Sequence, residues 1–123
     1  MKPIRVLVVD DLAFMREAIT NTLENAGIVV SGEAPNGAEG IEAYLKLRPD
    51  VVLMDITMPV MDGLRALSGI KRRDPQASVV MCSALGQQRY VIRAIQLGAR
   101  DFIVKPFRQE RIVNAVRKAA SKR

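Results

Sequence analysis

Hydrophobic residues in this chain alternate between short continuous runs and longer stretches in which they recur every three or four positions. The runs are rich in β-branched residues and predict five strands, at 4–9, 28–34, 51–54, 78–82 and 101–104. Each run is followed by a stretch with helical spacing, which predicts a helix after every strand. The sequence therefore predicts five consecutive βα units.

The helix predictions rest on the apolar positions and on the residues that end each helix. The side chains expected to face the core are Met15, Ile19 and Leu23 in the first helix, Ala38, Ile41 and Leu45 in the second, Leu64, Leu67 and Ile70 in the third, Val91, Ala94 and Ile95 in the fourth, and Ile112, Val116 and Ala119 in the fifth. The first helix is predicted over 12–26 and the fourth over 87–97. Gly27 and Gly98 follow these two helices, and glycine often ends a helix.

Strands that are apolar on both faces and separated by amphipathic helices indicate a parallel sheet covered on each side. The expected architecture is a three-layer α/β domain, a doubly wound (βα)5 sheet occupying 1–123. Of the common doubly wound orders, 2-1-3-4-5 suits five strands in a chain of this length. That order is adopted from known proteins and is not worked out from the residues. It places the ligand-binding crevice between the first and third strands.

Polar groups suited to phosphoryl chemistry follow four of the five predicted strands: Asp10 and Asp11, Asp55, Ser83, and Lys105. Taken singly, each has an ordinary explanation. The aspartates at 10 and 11 could cap a helix, Asp55 and Ser83 could begin turns, and Lys105 could be a solvated charge. Because carboxyl ends of parallel strands lie along one edge of a sheet, the combination predicts a single crevice containing all five groups.

Carboxylates gathered in that crevice would repel one another by roughly 3 kcal/mol per pair at about 5 Å and an effective dielectric near 20. One ammonium from Lys105 offsets only part of this repulsion. The chain has no histidine and one cysteine, Cys82, which lies inside an apolar run. A site of carboxylates without imidazole or thiolate suits a hard cation, and Mg²⁺ readily shares its coordination sphere with phosphate oxygens. We therefore expect Mg²⁺ to bind here and to stabilise the fold.

A carboxylate can attack a phosphoryl group and form an aspartyl phosphate when nearby cations neutralise the phosphoryl oxygens. Asp55 is the best nucleophile because it ends a central strand. Asp10 and Asp11 lie together at a helix start, where they are placed to hold metal. Lys105 and Ser83 can bind phosphoryl oxygens by charge and by hydrogen bond.

These residues and the segments around them resemble the response-regulator receiver family across essentially the whole chain. The matching segments are Asp10-Asp11, Met54-Asp55, Met58-Pro59-Val60-Met61-Asp62-Gly63, Ser83-Ala84 and Lys105-Pro106-Phe107. The resemblance implies a flavodoxin-like fold and a cis peptide bond before Pro106. Segments 81–88 and 101–107 are most similar to chemotaxis regulators of the non-enteric type.

The resemblance also implies a role for each site residue. Asp55 would accept a phosphoryl group from a phosphohistidine on a sensor kinase. Mg²⁺ would be held by Asp10, Asp11, Asp55 and the backbone carbonyl of Thr57. Ser83 and Lys105 would bind the phosphoryl oxygens, and Phe102 would change rotamer when Ser83 moves. These movements would repack the face formed by the fourth helix, fifth strand and fifth helix. The protein would therefore act as a switch and not as a turnover enzyme.

The expected partners are a CheA-like sensor histidine kinase, an output protein such as the flagellar motor switch, and a phosphatase. From residue 89 to the end the chain carries ten Lys or Arg against two acidic residues. This excess is either a solvated surface or a docking face for an acidic partner segment, in which case Arg89, Arg93, Arg100 and Arg111 would form it. The sequence shows no helix-turn-helix for DNA, no apolar run long enough to span a membrane and no signal peptide, so a cytoplasmic protein is expected.

Other functions remain open at this stage. The chain could be a single-domain phosphorelay carrier or a receiver excised from a DNA-binding regulator. A phosphatase of the haloacid dehalogenase type would need a second carboxylate two residues after Asp55, where this chain has Thr57. A flavin or nucleotide module would need a glycine-rich or hydroxyl-rich loop after the first strand, and the chain has Asp10-Asp11-Leu12-Ala13 there.

Overall fold

The computed structural model describes residues 2–121, in which strands and helices alternate as the sequence predicts. The strands are β1 (Arg5–Val9), β2 (Val29–Ala34), β3 (Val51–Asp55), β4 (Val79–Ser83) and β5 (Asp101–Val104), and the helices are α1 (Ala13–Asn25), α2 (Gly37–Leu47), α3 (Gly63–Arg73), α4 (Val91–Gln96) and α5 (Gln109–Ser121). Lys122 and Arg123, two of the ten basic residues from position 89 onward, lie outside the described residues. None of the described helices combines the length and apolar character needed to cross a bilayer.

The five strands form one parallel sheet in the order β2-β1-β3-β4-β5, which confirms the predicted doubly wound topology. The order reverses at the β1/β3 pair, where a crevice opens beyond the carboxyl ends of the strands. The register pairs Asp55 with Cys82 and Ser83 with Val104. The polar residues that end these strands consequently lie along one edge of the sheet.

Alternate residues of each strand pack into two separate hydrophobic layers. In β1, Leu7 and Val9 contact the layer covered by α2, α3 and α4, whereas Val6 and Val8 contact the layer covered by α1 and α5. All four side chains are at most 1% exposed. Burial on both faces explains why the strands read as continuous apolar runs.

The loop between β3 and α3 is shaped by close backbone contacts beside Asp55. The amide of Gly63 donates to the carbonyl of Ile56 at 2.6 Å, and a Cβ atom at position 63 would collide with the backbone carbonyl of Asp55. Asp62 caps α3 by accepting a hydrogen bond from the amide of Arg65 at 2.9 Å. Only glycine at 63 allows the helix to begin this close to the end of β3.

Two predicted core residues face solvent instead. Leu45 in α2 is 37% exposed and Ile95 in α4 is 58% exposed. Both helices carry apolar residues on more than one face, so spacing alone does not show which face packs. In α2 the buried side chain is Tyr44, and in α4 it is the small Ala94. The segment predicted as one helix over 87–97 is a 3-10 turn at Gln88–Tyr90 followed by the short α4.

Candidate functional site

Three carboxylates converge at the switch point of the sheet. Asp10 and Asp11 follow β1, and Asp55 ends the neighbouring β3. One oxygen from each carboxylate lies within 4.8 Å of the others, with Asp10 and Asp55 buried and Asp11 exposed. Oδ1 of Asp10 also accepts a hydrogen bond from the amide of Leu12 at 2.9 Å, so this residue orders the start of α1 as well. Buried oxygens facing an exposed one form an open site suited to a hard divalent cation.

Lys105 brings an ammonium group into the crevice. Its Nζ lies 3.0 Å from Oδ2 of Asp10 and 3.4 Å from Oδ1 of Asp55. The residue follows β5, its amide donates to the carbonyl of Ser83 at 2.7 Å, and its peptide bond to Pro106 is cis, as the sequence resemblance implies. The last residue of β4 and the first after β5 are thus held together beside the carboxylates.

Burial and charge together shift the proton affinities in this crevice. Desolvation raises the pKa of Asp55 to about 6; Lys105 opposes this rise, while the charges of Asp10 and Asp11 add to it. Burial by itself would lower the pKa of Lys105, but the hydrogen bond that its ammonium donates to Asp10 and the charge of Asp55 outweigh it and raise that pKa. The site consequently favours added positive charge.

Ser83 presents a buried hydroxyl without a partner. It ends β4, is 0% exposed, and its Oγ has no hydrogen-bond partner among residues 2–121. A buried hydroxyl left unsatisfied costs about 1–3 kcal/mol, so native proteins retain few of them. Because Ser83 ends the strand next to β3, its hydroxyl is placed to donate a hydrogen bond to an oxygen of a group attached to Asp55.

The sequence matches the model of a known protein family over most of its length. Residues 6–117 match the family described as response regulator receiver domain. The chain belongs to that family. It is also 53% identical to chemotaxis protein CheY of Thermotoga maritima over 116 residues, covering 94% of this chain and 97% of the relative. Chemotaxis protein CheY of Bacillus subtilis is 55% identical over 114 residues, covering 93% of this chain and 95% of that protein.

Solved structures agree with this assignment. A CheX-CheY-BeF3-Mg²⁺ complex from Borrelia burgdorferi matches with a TM-score of 0.90 and 36% identity, covering 94% of this chain and 88% of that one. The signal receiver domain of NarL from Mycobacterium tuberculosis matches with a TM-score of 0.93 and 35% identity over all of both chains. This receiver domain is therefore a CheY-like component of a two-component system.

Gln87 lies in the loop after β4 and makes a contact beside the crevice that the sequence does not predict. Its side-chain oxygen accepts a hydrogen bond from the amide of Ala84 at 2.7 Å, and its Nε2 donates to Oγ1 of Thr57 at 2.5 Å. Gln87 thereby ties the loop after β4 to the loop after β3. The sequence places a second glutamine, Gln88, beside it, so residue type alone gave no means of choosing between them.

Phe102 lies in β5 and is half-buried against the layer formed by α2, α3 and α4. Its backbone carbonyl accepts a hydrogen bond from Nη2 of Arg111 at 2.9 Å. The ring is held by packing, since phenylalanine has no hydroxyl to anchor it. Its position on the strand next to β4 is compatible with the predicted coupling to Ser83.

The four arginines predicted to form a partner face occupy different surroundings. Arg111 pairs with Asp101 at 3.4 Å, and the guanidinium of Arg89 lies over the ring of Tyr90 at 5.0 Å. Arg100 is half-buried beside Asp101, whereas Arg93 is exposed on α4. Arg89 and Arg93 share their surface with the exposed side chains of Ile92 and Ile95, so this part of the face is both basic and apolar.

Proposed function

We propose that this receiver domain is a phosphorylation-activated switch in which Asp55 accepts a phosphoryl group from a sensor-kinase phosphohistidine. The observation that carries the proposal is the setting of the Asp55 carboxylate. Two further carboxylates lie within 4.8 Å, and the Lys105 ammonium lies 3.4 Å from Oδ1. A carboxylate so placed is poised between a cation site and a fixed positive charge, the two features that neutralise a phosphoryl group during transfer.

In the transfer step an oxygen of the Asp55 carboxylate forms a bond to phosphorus. The bond between phosphorus and the donor imidazole nitrogen breaks, and its electron pair stays on the departing imidazole. The Lys105 ammonium pairs with a phosphoryl oxygen, and the Ser83 hydroxyl donates a hydrogen bond to another once the loop after β4 moves inward. The product is an aspartyl phosphate, which water later hydrolyses.

Mg²⁺ is the cation that the donor set fits best. Asp10, Asp11 and Asp55 supply carboxylate oxygens, and the backbone carbonyl of Thr57 supplies a neutral one. The clustering of three carboxylates supports this assignment, and so does the pKa of Asp55, which burial raises first and the charges of Asp10 and Asp11 raise further. When bound, Mg²⁺ neutralises phosphoryl oxygens during transfer. The Borrelia CheY structure, which contains Mg²⁺ and BeF3, offers a precedent in a relative.

Repacking of Ser83 and Phe102 would then transmit the phosphorylated state to the face formed by α4, β5 and α5. This is a population shift between two packings of one domain. Arg89, Arg93, Arg100 and Arg111 would present positive charge to an acidic segment of an output protein such as the flagellar motor switch. The kinase would be CheA-like, and a separate phosphatase would remove the phosphoryl group. The Borrelia structure, in which CheY is in complex with CheX, is a precedent for a relative bound to a second protein.

A turnover phosphatase is disfavoured because position 57 holds threonine where the haloacid dehalogenase reaction uses a second carboxylate as general acid. Mass spectrometry tests the two functions directly. Incubation with Mg²⁺ and acetyl phosphate should add one phosphoryl group to the intact protein, and Asp55→Asn should add none. Sustained hydrolysis of a panel of phosphoesters would instead favour the enzyme.

A further inference from the structure

A basic groove beside α4 overlaps the proposed switch face at Arg93 alone. It has a volume of about 410 Å³ and runs between α3 and α4. Small residues of α3 create it: Ser68 lines it, and at Gly69 an added Cβ would come within 2.7 Å of Ile41. The floor is apolar and includes Leu64 and Leu97.

Four arginines border this groove, namely Arg65, Arg72, Arg73 and Arg93. None of the residues lining the groove is acidic, so the groove itself offers no carboxylate to the four guanidinium groups. Like charges gathered without counter-charges repel one another, and an anionic partner relieves that repulsion. The charge pattern therefore selects a negatively charged occupant.

The spacing of the arginines distinguishes between kinds of anion. Arg65 and Arg72 are seven residues apart on α3, which corresponds to about 10 Å along the helix axis. Arg93 stands across the groove on α4. Charges distributed along both walls of an apolar floor match carboxylates spaced along a peptide better than the compact charge of a phosphate group. An amphipathic helix can lay its apolar face into such a groove while its acidic residues reach both walls.

We propose that the α3–α4 groove binds an acidic amphipathic helix of a partner protein. This surface differs from the α4, β5 and α5 face of the proposed function and shares only Arg93 with it. Its occupation requires no phosphoryl group on Asp55. A binding assay on the unphosphorylated protein therefore tests the groove separately from the switch.

The probe is a fluorescently labelled synthetic peptide in which leucines at helical spacing form one face and glutamates fill the remaining positions. We expect saturable binding of this peptide to the 123-residue chain, measured by fluorescence anisotropy at physiological salt. Arg65→Glu/Arg72→Glu should weaken it by about tenfold or more. The matched control is Arg108→Glu/Arg117→Glu, which makes the same change in net charge on α5 and its preceding loop and should leave the affinity within about twofold.

A second variant tests the shape of the groove without changing its charge. Ser68→Phe fills the groove without altering any ionisable group and should also weaken binding about tenfold, with circular dichroism showing that the fold is retained. Equal losses for the two double variants, or unchanged affinity in Ser68→Phe, would overturn the proposal. So would equal binding of a scrambled peptide of the same composition, or selective binding of a nucleoside triphosphate in place of the peptide.

Discussion

Nζ of Lys105 lies 3.0 Å from Oδ2 of Asp10, two side chains that are 95 positions apart in the chain. The contact joins the segment after β5 to the end of β1 across the carboxyl edge of the sheet. Because Asp11 and Asp55 lie in the same cluster, one ammonium faces three carboxylates. The folded domain thus holds an excess of negative charge in a partly buried crevice.

The first prediction concerns the stability of the metal-free protein. The pKa of Asp55 is raised from 3.8 to about 6 in the folded state, so its ionised form destabilises the fold above pH 6. Replacing it by asparagine removes that cost. Asp55→Asn should raise the free energy of unfolding at pH 7 by up to about 3 kcal/mol, as measured by urea denaturation without divalent ions.

The pH dependence checks the sign of this effect. Below the unfolded-state pKa of 3.8 the carboxyl is protonated in both states, so the advantage of Asp55→Asn should vanish near pH 4 and grow as the pH rises through 6. Asp62→Asn is the control, because asparagine also caps helices and should leave the difference small at both pH values. A difference that does not change between pH 4 and pH 7 would contradict the account.

The second prediction concerns Mg²⁺. Ligands that bind only the folded state stabilise it by mass action, so Mg²⁺ at about ten times its dissociation constant should add ~1.4 kcal/mol to the free energy of unfolding. Asp11→Asn should abolish most of this gain, since the exposed carboxylate is the one open to the ion. Glu17→Gln, a change at an exposed acidic residue of α1, should keep it. Equal responses in both variants would argue against the acidic cluster as the binding site.

The third prediction distinguishes two effects of the Ser83 hydroxyl, one on the stability of the fold and one on the lifetime of the phosphorylated protein. Removing its unpartnered hydroxyl in Ser83→Ala should stabilise the unphosphorylated protein by ~1 kcal/mol and weaken retention of a phosphoryl group. Thr20 in α1 offers a matched control because its Oγ1 is also buried and has no hydrogen-bond partner within residues 2–121. Thr20→Val should give a similar stabilisation in thermal unfolding. Only Ser83→Ala should alter the phosphorylated lifetime, and a change in both would indicate a general effect on stability.

The fourth prediction concerns the link formed by Gln87 between Thr57 and Ala84. Gln87→Ala removes both side-chain hydrogen bonds, so the amide of Ala84 should exchange with solvent about tenfold faster in NMR hydrogen exchange. Gln88→Ala provides the control, because the side-chain oxygen of Gln88 accepts a hydrogen bond from the amide of Gly86, a contact within one loop. If exchange at Ala84 responds equally to both substitutions, the connection to Thr57 does not hold the loop.

The sequence predicted the sheet well because its strands are apolar on both faces and end at distinctive polar residues. The same pattern predicts that Asp10, Asp55 and Lys105 share one edge of a parallel sheet, whereas the strand order 2-1-3-4-5 comes from known proteins and not from the residues. Helix faces were harder to predict. Leu45 and Ile95 fit the helical spacing as well as the residues that pack, and only tertiary contacts make Tyr44 and Ala94 the buried ones.

The sequence did not predict contacts between loops, for a different reason. The hydrogen bond from Gln87 to Thr57 joins residues 30 positions apart in two loops, where no periodicity constrains the side chains. The arginines of the α3–α4 groove likewise come from two helices whose packing had to be known first. Topology determines which polar residues meet at the carboxyl ends of the strands. Hydrogen bonds between loops and grooves between helices depend instead on how those particular loops and helices pack.

The central claim is that Asp55 forms the covalent bond to phosphorus, and reductive trapping tests it most directly. The protein is incubated with Mg²⁺ and acetyl phosphate, and borohydride then reduces any acyl phosphate to an alcohol, converting the modified aspartate to homoserine. Peptide mass spectrometry should find homoserine at position 55 alone, and none when acetyl phosphate is omitted. Homoserine at position 10 or 11, or a phosphoryl adduct that persists in Asp55→Asn, would contradict the account.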